Sequence, residues 1–187
     1  MNQPPEQANP WTRLSRRTAY KNPWIAVYED QVLRPDGQPG IYGVVHFMNR
    51  AIGVVAMDDC DQVLLVGQYR YPLDRYSWEI VEGGGDLDEE PLVAARRELA
   101  EETGYSADTW QEILRAHLSN SVTDEEAVCY LATGVQAGCA EPEGTEQLQV
   151  KWVAFDEAMH MAARGEITDA LTILGLQRVA LMRLGLA

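Results

Sequence analysis

Apolar positions recur first at the spacing of strands and later at that of helices. Trp24–Leu33 and Ile41–Met48 are short runs rich in β-branched and aromatic residues. They flank the turn signal Pro35-Asp36-Gly37, which predicts a hairpin. Ile52–Met57 and Val63–Tyr69, separated by the polar Asp58–Gln62, predict a second hairpin, and Tyr76–Val81 a further strand ending in Gly83-Gly84-Gly85. A helix follows: Pro91 suits its first position, Leu92, Ala95 and Leu99 recur at helical spacing, and Gly104 suits its stop. Strands are predicted at Trp110–Leu118, Glu126–Thr133 and Leu148–Phe155, then helices from an Asp156 cap to Gly165 and over Asp169–Leu184. Residues 1–20, opening MNQPPEQANP, read as a flexible segment, residues 21–44 as a β appendage and residues 45–187 as the main domain. The class is α/β, a mixed sheet with helices packed on it.

Composition narrows the function. A chain of 187 residues with 46% apolar content can bury a real core. Its net charge of −14 disfavours duplex DNA and anionic membrane as partners, since both need a basic surface. Cys60, Cys129 and Cys139 show no CxxC spacing. No charged-then-apolar leader and no uncharged stretch of about 18 residues is present, so a soluble, cytoplasmic protein is expected. Half of the net charge lies in Glu79–Glu102, where nine acids face two bases.

That block has a fixed spacing: Gly83, Glu89, Arg97, Glu98, Glu101, Glu102 and Gly104. Glu98 and Glu102 are i,i+4 neighbours on one helix side, with Glu101 one step round. In a cleft, two such charges ~6 Å apart at an effective dielectric of ~20 cost about 3 kcal/mol. Divalent cations turn that repulsion into attraction, and hard oxygen donors suit Mg²⁺ or Mn²⁺ rather than zinc. Arg97, beside Glu98 and one turn from Glu101, is placed to orient a ligand carboxylate. A charged surface helix is the ordinary fate of such a segment. Seven fixed positions, however, match by chance on the order of once in a million.

The segment Gly83–Tyr105 resembles the signature of the Nudix hydrolases at every fixed position; Tyr105 stands where an aliphatic residue is more usual. The resemblance implies an α/β/α sandwich and metal-dependent hydrolysis of a nucleoside diphosphate linked to another group. It makes Glu98 and Glu102 the principal metal ligands, assisted by Glu101 and by the backbone carbonyl of Glu82, with Glu89 and Arg97 in support. Many relatives carry alanine where this chain has Glu82. The resemblance also makes Gly83, the first motif glycine, a substrate-binding position.

Flanking segments resemble the ADP-ribose and nucleotide-sugar pyrophosphatase branch. They are Gln68-Tyr69-Arg70-Tyr71, Trp78-Glu79, Asn22-Pro23-Trp24-Ile25 and Gly165-Glu166-Ile167-Thr168-Asp169-Ala170. Arg70, at a strand end next to the motif, is the candidate cation for the diphosphate, with a surface ion pair as its other reading. Trp24 and Tyr42 are candidate platforms for a nucleobase, or packing between appendage and core. Ser119–Glu126 resembles the loop that carries a catalytic glutamate. Register against Thr123 points to Glu125 as general base, with Asp124, Glu126 or a motif glutamate as alternatives and a plain acidic loop as the other reading. The resemblance also implies a homodimer whose N-terminal strands reach the partner. The expected substrate is ADP-ribose, with GDP-mannose or another nucleotide sugar as the alternative and a non-hydrolysing nucleotide sensor ranked below both. No GxSxG, GxxxxGK[ST] or HExxH motif offers a different chemistry.

Overall fold

The computed structural model describes residues 8–138 and 148–186. Cys139 and the first seven residues of the segment expected to be flexible lie outside them. Two compact units are present: residues up to Met48 together with Ser119–Glu125, and Asn49–Leu118 together with residues from Glu126 onward.

The first unit is an antiparallel meander of β1 (Thr12–Lys21), β2 (Ile25–Leu33) and β3 (Pro39–Phe47). Strand β1 corrects the expectation of a flexible segment over residues 1–20. All ten of its residues are exposed, so no alternation of burial marks it in the sequence. Its ladder to β2 holds it, with cross-strand pairs Arg16–Asp30 at 2.7 Å and Arg17–Glu29 at 3.0 Å. The Ser119–Glu125 segment joins this unit through β3, where the Val45 amide donates to the Val122 carbonyl at 2.8 Å.

In the second unit, β7 (Val81–Asp86), β4 (Asn49–Ala56), β9 (Glu126–Ala137) and β8 (Tyr105–His117) form a mixed sheet in that order. Strands β4 and β9 run parallel, and the other pairs antiparallel. A three-stranded antiparallel sheet holds β10 (Gln149–Ala154), β5 (Gln62–Arg70) and β6 (Arg75–Glu79). Helices α1 (Pro91–Thr103), α2 (Phe155–Ala163) and α3 (Ala170–Arg183) complete it.

Alternate residues of the central strands feed two cores, as a period of two requires. Ile52, Val54, Leu64 and Val66 pack with Ala94, Ala95 and Leu99 of α1. Val55, Val63 and Leu65 pack with Phe155 and Ala158 of α2 and with Leu171 and Leu176 of α3. The result is the expected α/β/α sandwich. The glycine run, expected only as the end of the Tyr76–Val81 strand, is half of a separate strand, β7, paired with β4 so that Gly83 faces Ile52.

Candidate active site

Helix α1 begins where Pro91 supplies a pre-set φ at the first turn and stops at Gly104, whose φ of 72° favours glycine. Its inward face is unusual. Ala94, Ala95 and Leu99 are buried, as a core face should be, but so are Glu98 and Glu102, at 9% and 4% exposure. Helix core faces are ordinarily apolar, so two buried carboxylates mark this stripe as the candidate site.

Gly83 explains how the helix sits so close to β7. A Cβ built on Gly83 would lie 1.9 Å from Glu98 Cδ. Only hydrogen fits between this strand and the Glu98 carboxylate.

Arg97 gathers the other motif acids. Its Nη1 donates to Glu98 Oε1 at 2.7 Å and to Glu101 Oε2 at 3.1 Å. Its Nη2 donates to the Gly84 carbonyl at 2.7 Å and reaches Glu89 Oε2 at 3.4 Å. Against the lowering effect of burial, Glu98 and Glu101 hold the guanidinium above its ordinary pKa. Thus four of the sequence-selected residues, Glu89, Arg97, Glu98 and Glu101, meet at one point.

The donor set suits a hard divalent cation: carboxylate oxygens on one helix face, beside a strand stripped of side-chain bulk at Gly83. Among the described residues no three acids are already drawn into a cage, because Arg97 holds Glu98 and Glu101. The Glu82 side chain points elsewhere, to α3, which leaves only its backbone carbonyl for the expected ligand role. Glu82 Oε1 accepts from Thr172 Oγ1 at 2.9 Å. Thr172, fully buried, in turn accepts from the Ile80 amide at 3.0 Å, while its own amide donates to the Asp169 cap at 2.7 Å. Burial, then the carboxylates of Asp169 and Glu79, pushes Glu82 well above the usual carboxylate range.

Arg70 is held by a buried partner rather than lying as a loose surface pair. Its Nε lies 3.0 Å from each oxygen of Glu79, which is 3% exposed, and its Nη2 also donates to Glu79. Arg70→Ala would strand Glu79 in the interior. It is expected to cost about 3 kcal/mol, the low end for a broken buried pair because the guanidinium is one-third exposed. A urea-unfolding midpoint checks this, and Glu79→Gln in the same chain should restore most of the loss.

Trp24, Tyr42 and Glu125 belong to the first unit, so the α1 carboxylates gather without them. Trp24 is 65% exposed in the turn after β1, where the Asn22 side chain accepts from its amide at 2.9 Å. Tyr42 is fixed: its hydroxyl donates to the Ser121 carbonyl at 2.8 Å, and its ring meets Trp11 edge-on at 5.2 Å. These two rings border a cavity of about 290 Å³ shared with Arg13 and Asp30. Trp11 was missed in the sequence because it precedes an all-exposed strand. Both alternatives to Glu125 form ion pairs. Asp124 pairs with His46 Nδ1 at 2.6 Å and accepts from the Phe47 amide at 3.1 Å. Glu126 pairs with Arg50 at 3.0 Å and with Arg115 at 3.4 Å. Burial pushes the Cys129 thiol up to about 12, which removes it as a nucleophile.

With this geometry in hand, residues 48–172 match the NUDIX domain model. The chain belongs to the Nudix family. Residues 11–45 of this Nudix chain match the model of the nucleoside diphosphate sugar hydrolase N-terminal domain, which spans the exposed meander. The Nudix chain is 34% identical over 177 residues to an ADP-ribose pyrophosphatase of Mycobacterium tuberculosis, covering 93% of this chain and 85% of that one. It is 29% identical to an ADP-ribose pyrophosphatase of Bacillus subtilis, covering 90% of this chain and 91% of that one. A solved structure titled as an ADP compounds hydrolase superposes with a TM-score of 0.83 at 20% identity, covering 95% and 97% of the two chains, which shows a shared fold. No helix among the described residues is long and apolar enough to cross a membrane.

Proposed function

We propose that this chain hydrolyses the diphosphate bond of a nucleoside diphosphate linked to a sugar, with ADP-ribose as substrate and AMP and ribose 5-phosphate as products. The observation that carries this reading is the convergence of Glu89, Glu98 and Glu101 on Arg97 beside Gly83, on a chain that matches both Nudix modules. Water adds across one phosphoanhydride: one P–O bond breaks, and each phosphate leaves with its own organic group.

Glu98 and Glu102, assisted by Glu101 and the Glu82 carbonyl, are the residues that would hold Mg²⁺ or Mn²⁺. When bound, the cation supplies charge neutralisation for the diphosphate and Lewis acidity at the reacting phosphorus. Arg97 sets the carboxylate orientations, and Glu89 braces Arg97 from the turn before the helix. Arg70, already clamped by Glu79, presents a fixed cation to the diphosphate at little further entropic cost. Glu125, on the Ser119–Glu126 loop, takes the proton from the attacking water. Trp24 and Tyr42 offer aromatic surface for the base. A cytoplasmic homodimer fits the exposed apolar side chains of the meander, among them Leu14, Tyr20 and Ile41.

A phosphate-release screen in Mg²⁺ and then Mn²⁺, over ADP-ribose, GDP-mannose and dinucleoside polyphosphates, tests the assignment. ADP-ribose is expected to give the highest kcat/KM. A higher value for GDP-mannose would move the substrate, and no turnover of any nucleotide sugar would overturn the reading.

A further inference from the structure

Strand β3 is an edge of the meander, so one row of its backbone groups is open to another segment. The Ser119–Glu125 loop takes that row. Val45 forms a parallel bridge with Thr123: its amide donates to the Val122 carbonyl at 2.8 Å, and its carbonyl accepts from the Asp124 amide at 3.3 Å. The loop is also closed on itself. The amides of Val122 and Thr123 and the Thr123 hydroxyl donate to the Ser119 carbonyl at 3.1, 2.9 and 3.2 Å.

Two side chains of β3 complete the attachment. Tyr42 and His46 stand at i and i+4 of a strand and so share a face. The Tyr42 hydroxyl donates to the Ser121 carbonyl at 2.8 Å. His46 Nδ1 lies 2.6 Å from Asp124 Oδ2, whose other oxygen accepts from the Phe47 amide at 3.1 Å. An ionised carboxylate only accepts, so the imidazole proton sits on Nδ1. His46 is fixed from behind as well. Its ring stacks on Tyr28 with centroids 6.0 Å apart, and the Arg16 guanidinium, bound to both oxygens of buried Asp30, lies 4.4 Å from the Tyr28 ring.

Val122 is 44% exposed, so hydrogen bonds rather than a buried apolar side chain hold this loop. A plain connection between two strands gains nothing from such fastening and loses conformational freedom to it. A general base, in contrast, must be held within a fraction of an ångström of its reacting proton. We propose that Tyr42 and His46 are positioning residues for the chemical step: through Ser121 and Asp124 they hold the loop so that Glu125 is presented in one conformation. This rests on the assignment of Glu125 as general base above. It gives the N-terminal meander a part in kcat.

Steady-state kinetics with ADP-ribose in Mg²⁺ test it. His46→Phe keeps a ring on Tyr28 and removes Nδ1; Tyr42→Phe keeps the ring offered to the base and removes the hydroxyl. Each should lower kcat about tenfold with KM within about twofold, less than the ~10²-fold that follows a 1 Å displacement. His46→Asn, whose amide can donate to Asp124, should recover most of the loss. Glu125→Gln should itself lose about 10²–10⁴-fold, and His46→Phe in that background should change little more, because the group it positions has gone. Amide hydrogen exchange over residues 119–125 should quicken in both Phe variants, while thermal unfolding confirms that they fold. Wild-type kcat in both Phe variants, a rise in KM alone, or a full tenfold loss on top of Glu125→Gln overturns the positioning role. A slow His46→Phe beside a fast Glu125→Gln instead overturns the base assignment and leaves both positioning residues standing, acting through another group of the loop.

Discussion

Glu102→Gln is expected to lower metal-dependent turnover by about 10²–10³-fold while leaving the fold intact, the scale seen when one preorganised electrostatic contact is lost. Glu102 is 4% exposed on the inward face of α1, one turn from the buried Glu98. Two carboxylates so placed raise the energy of the metal-free protein, so natural packing would replace one with an apolar or amide group if stability alone mattered. Glutamine keeps the shape, removes the charge and relieves that repulsion. Stability should therefore hold or rise as activity falls, an opposition that a purely structural glutamate would not show. Initial rates across a Mg²⁺ titration, paired with a urea-unfolding midpoint, read both quantities. Wild-type turnover in Glu102→Gln would end the assignment of this face as the metal site.

Gly83→Ala tests the same site from the strand side. Its new Cβ would fall 1.9 Å from Glu98 Cδ, far inside any real contact, so either β7 or the Glu98 carboxylate must move. Displacing a catalytic group by about 1 Å commonly costs ~10²-fold in rate. The accompanying overpacking should cost about 1–3 kcal/mol. A double-mutant cycle assigns the cause: in a Glu98→Ala background the same alanine should cost little stability, because the clashing carboxylate has gone. A full stability cost in that background would place the clash elsewhere.

The strands and helices that bury a regular face were legible from apolar periodicity. Helix α1 was bounded by Pro91 and Gly104, and the central strands by their β-branched runs. Three elements departed from that pattern, each for a stated reason. Strand β1 buries nothing, so its ladder and its Arg16 and Arg17 pairs leave no hydrophobic trace. The glycine run that was expected to end the Tyr76–Val81 strand lies inside a separate strand, β7, on which α1 packs directly. Strand β8 starts at Tyr105 rather than near Trp110, since its first residues alternate weakly between exposed and half-buried.

By itself the sequence determined the chemistry of α1. Helical geometry fixes which residues share a face, so the spacing of Glu98, Glu101 and Glu102 already implied a cluster of hard oxygen ligands with Arg97 beside it. The tertiary structure alone decided which of these groups hold one another. Arg97 meets Glu89 through a turn and Gly84 through a strand, Arg70 is locked by a carboxylate nine residues away, and the Glu82 side chain is turned to Thr172, ninety residues on. Contacts between distant segments depend on how layers pack, and that information is spread across the whole core rather than written in any local spacing.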